Sequence, residues 1–176
     1  CFLRLPLSMS SDVSFAGTGG LLKGSLFQPR AFQHAVIVLH GFRGYRFSSK
    51  KRAWLQALEK AGYLALAFDF FGHGESEGRI KDLTVTQELK DAAAAIRYLR
   101  SNFQFRKLAL LGHSMGGTVA ELYAAKNAGV DAVVAVSSPL YLSLYPDVFH
   151  HKMDVAAWRS KGFLTVSSAG EPFDLK

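Results

Sequence analysis

Cysteine is nearly absent: Cys1 is the only one, so the chain supports no disulfide framework and no cysteine-based metal cage. A reducing compartment fits that usage best, and the expected location is cytoplasmic. Long apolar runs are missing as well. Stretches such as Ala35–Leu39 fall far short of the ~18 residues that span a bilayer, so no membrane helix is expected. The apolar start, Cys1 to Leu7, is interrupted by Arg4 and Pro6, and it is too short for the core of an export signal. There is no internal repeat and no low-complexity tract. No aromatic-basic nucleic-acid motif occurs, and no nucleic-acid partner is expected.

What is present is the composition of a globular domain: 176 residues, 49% hydrophobic, 12% aromatic and 20% charged. That excludes disorder, collagen and coiled coil. The net charge of +7 admits an anionic partner. The one dense basic cluster, Arg43, Arg46, Lys50, Lys51 and Arg52, reads as a solvated helix start, with an anionic substrate as the lesser option. Residues 1–11 read as a leader or a non-native extension, with Met9 a candidate true start.

Two β-like runs, Asp12–Ala16 and Leu21–Gln28, flank Gly17-Thr-Gly-Gly20 and predict an antiparallel hairpin. Four buried strands follow, His34–His40, Tyr63–Asp69, Lys107–Leu111 and Val130–Ser137, alternating with amphipathic helices. The first helix is capped by Ser48 or Ser49, carries Trp54, Leu55, Leu58 and Ala61 on one face, and stops at Gly62. The second begins near Thr84 or Thr86; the third runs from Met115 to Asn127. Strand and helix in alternation mean α/β class, a mostly parallel sheet with helices on both faces. After Pro139 the pattern breaks: an irregular aromatic stretch, a helix over Asp147–Lys161, and a hairpin over Phe163–Leu175. The expected division is 12–139 as core and 140–176 as the start of a cap insertion.

Gly112-His113-Ser114-Met115-Gly116 fits G-x-S-x-G, and with 16 glycines in the chain the pattern alone carries little. Its context carries more. A buried strand ends where a helix begins, the setting in which a serine backbone is strained and its hydroxyl lifted above the sheet edge. A Cβ on either glycine would strike neighbouring backbone. His40-Gly41-Phe42 follows the first parallel strand, so it should meet Ser114 at the carboxyl edge of the sheet, where ligands of such folds bind. The N–H groups of Phe42 and Met115 then form the two donors of an oxyanion hole. His40 reads as an orienting, hydrogen-bonded imidazole in preference to a general base.

His40-Gly-Phe-Arg-Gly44, Asp69-Phe-Phe-Gly-His-Gly-Glu-Ser76 and Gly112-His-Ser-Met-Gly-Gly117, in this order, resemble the serine α/β-hydrolases. The nearest resemblance is to the esterase group containing cinnamoyl and feruloyl esterases and monoacylglycerol-lipase-like enzymes. It implies the α/β-hydrolase fold, incomplete at the C-terminus, with Ser114 as nucleophile and Phe42 and Met115 as oxyanion donors. Around them His40, Gly41, Gly112, His113 and Gly116 support the site, and the Asp69–Ser76 loop braces it. Tyr141, Leu142, Leu144, Tyr145 and Phe149 are the cap candidates for contacting substrate, and they favour an apolar acyl group.

The family's acid and histidine follow later strands, which are not found before Lys176. His150 or His151, with Asp147 or Asp154, would stand in the wrong chain order and read as surface residues. The expectation is a serine hydrolase of small carboxylic esters working through an acyl-enzyme, with no metal and no cofactor, whose printed chain is by itself inactive. The alternatives are a non-catalytic ligand-binding module, or acyl transfer or perhydrolysis at the same serine.

Overall fold

The computed structural model describes residues 10–139, 160–161, 164–168 and 171–175. The predicted hairpin is there as β1 (Ser11–Ala16) and β2 (Leu21–Phe27), paired antiparallel with Phe15 opposite Leu22. Then come β3 (His34–Leu39), α1 (Ser49–Lys60), β4 (Leu64–Phe68), a 3-10 turn (Ile80–Asp82) and α2 (Val85–Asn102). The chain continues through β5 (Lys107–His113), α3 (Met115–Lys126) and β6 (Ala132–Val136).

These strands form one sheet in the order β1-β2-β4-β3-β5-β6. β3, β4, β5 and β6 run parallel, and β2 joins β4 antiparallel. From β3 the chain steps by α1 to β4 on one side, then returns by α2 to β5 on the other. Right-handed crossovers in opposite directions put their helices on opposite faces. The packing follows that rule. Ile37, Leu66 and Leu110 face Ala95, Leu99 and Val119 of α2 and α3, while Val38 and Ala67 face Leu55 of α1. The strands thus alternate between two cores, as a period of two demands when both faces are covered.

Local signals set the helix ends. Thr84 caps α2, its Oγ1 accepting the Gln87 N–H at 3.0 Å. Gly62 ends α1 with φ +79, and the Tyr63 N–H closes on the Leu58 carbonyl at 3.0 Å. One expectation needs correcting. The run Val130–Ser137 was expected to be a buried strand, yet β6 is a five-residue strand whose Val134 is 51% exposed. Among the described residues it has β5 as its single neighbour in the sheet, so its apolar side chains lack the cover that β3 and β4 receive.

The C-terminal hairpin is present as a separate pair, β7 (Leu164–Ser168) with β8 (Glu171–Leu175). Most of the helix expected over Asp147–Lys161 lies outside the described residues; Ser160 and Lys161 are helical. The cap candidates Tyr141, Leu142, Leu144, Tyr145 and Phe149, and the pairs His150, His151, Asp147 and Asp154, also lie outside them. No described helix is long and apolar enough to cross a membrane.

Candidate active site

The order of strands reverses around β3, so the carboxyl ends of β3 and β5 diverge around a crevice, and the loops leaving them form its walls. One loop begins at His40, the other is the turn at Ser114. Three non-glycine residues among those described have positive φ: Arg43 (56°), Ser114 (54°) and Ser137 (53°). All follow parallel strands at this one edge, and backbone strain of that kind gathers at functional sites.

Ser114 is the N-cap residue of α3, with φ 54° and ψ −125°, and its side chain does not cap the helix. The backbone is held from both sides. The Ser114 N–H donates to Val136 O at 2.9 Å, and Gly117 N–H donates to Ser114 O at 2.8 Å. The turn is as tight as expected. A Cβ on Gly112 would lie 2.2 Å from Gly116 O, and one on Gly116 would lie 2.4 Å from His40 O. The serine hydroxyl is therefore set on a rigid turn without being used to hold that turn.

The two loops meet. A Cβ on Gly41 would be 3.0 Å from both His113 O and the Ser114 Cβ. Gly41, Phe42, Ser48, Trp54, His113 and Ser114 line a shared cleft of about 350 Å³, together with Gly44 and Lys51. Neither the Phe42 nor the Met115 backbone N–H has a hydrogen-bond partner among the described residues. Met115 opens α3, so its N–H is one of the orphan donors of a helix start, at the positive end of the dipole.

His40 is wholly buried, and both of its ring nitrogens are engaged. Nε2 accepts the Phe70 N–H at 3.0 Å, so Nδ1 carries the proton and donates to Gly41 O at 2.9 Å. Burial, with His73 and then Lys51 adding positive charge nearby, lowers its pKa to about 3. Neither ring nitrogen of His40 has a lone pair left to accept a further proton. His73 has the same pattern, Nε2 accepting the Arg43 N–H at 3.3 Å and Nδ1 donating to Phe71 O at 3.1 Å. Desolvation lowers its pKa too.

The basic cluster is only partly the solvated helix start that its sequence predicts. Arg46 is buried against Asp69, its guanidinium bonded to both Asp69 and Glu75. Asp69 also accepts the Arg46 N–H at 2.7 Å and the Glu75 N–H at 3.1 Å. Ser76 Oγ donates to Asp69 O and accepts the Lys23 N–H at 2.9 Å, which ties this loop to β2. A buried ion pair thus clamps the His40–Arg46 loop to the Asp69–Ser76 loop; residues far apart in sequence give no warning of it. Lys51 is buried on the cleft wall, and Trp54 stands 6.3 Å from the His113 ring. Extending the 54, 55, 58 stripe back by one turn would have placed Lys51 on that inner face. Among the described residues no three His, Cys, Asp or Glu side chains are grouped to hold a metal ion.

A mostly parallel sheet, helices on both faces and a strained serine where strand meets helix define an α/β-hydrolase, in the esterase and lipase group. Within that class the chain belongs to the family described as serine aminopeptidase, S33, whose sequence profile matches residues 30–168. It is similar to the monoacylglycerol lipase of Mycolicibacterium smegmatis, 29% identical over 137 residues, 75% of this chain and 48% of that one. Among solved structures it resembles the Pyrococcus furiosus esterase Pf2001, with TM-score 0.70 at 31% identity, covering 77% of this chain and 53% of that one. The fold also matches Est1E from Butyrivibrio proteoclasticus with ferulic acid bound, TM-score 0.76 at 22% identity, over 92% of this chain and 66% of that one. The chain spans about a third to a half of the length of the curated relatives it matches.

Proposed function

We propose that the protein is a serine hydrolase of small carboxylic esters, with Ser114 as its nucleophile. The observation that carries this reading is the Ser114 turn itself: φ 54°, a side chain that does not cap the helix, and a cleft shared with the Gly41–Phe42 loop. In the reaction, Ser114 Oγ attacks the ester carbonyl carbon while its proton passes to a histidine. The carbonyl oxygen becomes an oxyanion held by the Phe42 and Met115 N–H groups. The alkoxide leaves with that proton, and water cleaves the acyl-enzyme by the same route, releasing the acid and freeing Ser114.

The histidine and its carboxylate partner come from outside the described residues, in the chain order serine, acid, histidine. Residues 12–139 serve as the core and 140–176 as the start of a cap that covers the substrate. No metal or cofactor is called for, and we assign the protein to the cytoplasm on its cysteine usage.

The test is covalent labelling of the full-length protein by a fluorophosphonate probe. Labelling is expected in the wild type and not in Ser114→Ala, with ester hydrolysis lower in that variant by several orders of magnitude. Labelling that survives the substitution would overturn the assignment of Ser114. Absence of labelling in the wild type would favour a ligand-binding module with the hydrolase fold.

A further inference from the structure

His73 reaches from the Asp69–Ser76 loop to the loop that follows β3. There the Gly44 N–H donates to Gly41 O at 2.9 Å and Arg43 has φ 56°, so residues Gly41–Gly44 make a four-residue turn whose third residue is left-handed. A type II turn gives that place to glycine. Any other side chain is strained in it, and the conformation persists only if its surroundings hold it. The Arg43 N–H donates to His73 Nε2 at 3.3 Å, which fixes the peptide joining Phe42 to Arg43. The peptide on the other side of Phe42 is fixed as well, because Gly41 O accepts from both the Gly44 N–H and His40 Nδ1 at 2.9 Å. In a planar trans peptide the carbonyl and the N–H point in opposite directions, so the Phe42 N–H is turned away from those donors. Gly41 and Phe42 line the cleft beside Ser114.

His73 is itself firmly seated. Its N–H donates to Phe70 O at 3.0 Å, its carbonyl accepts the Ser76 N–H at 3.0 Å, and its Nδ1 donates to Phe71 O at 3.1 Å. Its ring centre lies 4.9 Å from that of His40. Burial lowers its pKa against the opposing pull of the Phe71 carbonyl and the Asp69 charge, so at neutral pH Nε2 keeps its lone pair. The Arg43 side chain is exposed and is not part of the cleft wall.

We propose that His73 is a positioning residue for ester cleavage: by accepting the Arg43 N–H it keeps the Gly41–Gly44 turn in the strained form that presents the Phe42 N–H to the developing oxyanion. This role rests on the reading of Ser114 as nucleophile and Phe42 as oxyanion donor. Without the acceptor, the peptide after Phe42 turns over to relieve the strain at Arg43, and a misplaced donor stabilises the transition state less while ground-state binding changes little.

Steady-state kinetics of the full-length enzyme on p-nitrophenyl butyrate compare His73→Met, which lacks a strong acceptor, with His73→Gln, whose Oε1 stands near the place of Nε2. The expected result for His73→Met is a fall in kcat of about tenfold or more with KM within about twofold, and His73→Gln retains most of kcat. Glycine holds a positive φ without support, so in an Arg43→Gly background His73→Met should cost less than about threefold in kcat. An equal fall in both backgrounds, or an unchanged kcat in His73→Met, overturns the proposal. Amide hydrogen exchange of Arg43, followed by NMR, reads the turn independently of the nucleophile. If no ester is cleaved, protection that is lost in His73→Met keeps His73 as the holder of the turn while the reading of Ser114 falls. An Arg43 N–H that exchanges as fast in the wild type as in His73→Met removes the proposal itself. If His73→Met does not fold, an unprotected Arg43 N–H in the wild type, or a kcat lost in His73→Gln, overturns it.

Discussion

Replacing Glu88 with methionine is expected to stabilise the protein, and by more at pH 8 than at pH 5. Glu88 lies in the first turn of α2, wholly buried, and neither carboxyl oxygen has a hydrogen-bond partner among the described residues. Burial first, and the charge of Asp91 second, push its pKa well above 4.5. The folded state therefore keeps a proton that the unfolded state gives up. Stability from this group is present below pH 4.5 and is lost as pH rises toward the folded pKa, at about 1.4 kcal/mol per pH unit. Even when protonated, a buried carboxyl without a partner costs about 1–3 kcal/mol. Methionine has similar length and no strong polar atom, so it fills the site and removes both terms. It forfeits at most about 0.3–1 kcal/mol of favourable interaction between a charged Glu88 and the helix dipole.

The net gain at pH 5 is about 1–2 kcal/mol, growing by about 1.4 kcal/mol for each further pH unit up to the folded pKa. Asp91, also raised by burial, acts in the same sense, whereas His40 and His73 act in the opposite sense below pH 6.5. The two histidines remain in the variant and cancel in the difference, while Asp91, whose charge acts on Glu88, is relieved of that repulsion in the variant, which adds to the gain at high pH. Urea unfolding of the full-length protein, followed by circular dichroism at both pH values, measures it. A variant less stable than wild type at both would refute the reasoning, since Glu88 would then have a partner worth more than its burial costs.

Gly116→Ala is expected to cost more than about 3 kcal/mol, because its Cβ meets the His40 and Leu39 carbonyls at 2.4 and 2.5 Å. Gly62→Ala, with nothing within 4 Å but φ +79°, should cost only about 1 kcal/mol, and paired thermal melts compare the two. Arg46→Met leaves the Asp69 carboxylate buried with two backbone donors, so the loss should fall near the lower end of about 3–5 kcal/mol. Adding Asp69→Asn should recover part of it, and a double-mutant cycle without coupling would contradict the clamp. His40 should stay neutral down to about pH 4, seen as ring resonances in NMR that do not titrate near 6.5. Since its folded pKa is lowered, its contribution to stability is complete above pH 6.5 and is lost as pH falls toward 3. A midpoint near 6.5 would show the ring to be accessible to water.

Much of the architecture was legible in the order of short-range signals. Ala35–Leu39 and Leu64–Phe68 are apolar at every position, so only a strand with both faces covered suits them, and both are covered. Thr84, Gly62 and Gly112 act through local bonds, contacts or backbone angles, which is why their roles could be read before any fold was known, whereas Gly116 is confined by the Leu39 and His40 carbonyls, which only the fold brings to it. Val130–Ser137 was misjudged because an apolar strand is as buried as its neighbours make it, and β6 has a neighbour on one side among the described residues.

Composition and periodicity determined the class of fold, the strand-turn-helix at Ser114 and the loop that would face it. Tertiary structure alone decided which cations are buried. Arg46 and Asp69 are partners because two loops leave adjacent parallel strands at the same edge, a proximity set by strand order and absent from sequence spacing. Lys51 is part of the cleft because α1 packs across β3 and β4 with its first turn at that edge. The charge of a residue is local and can be read from the chain, while its solvation belongs to whatever the fold packs against it.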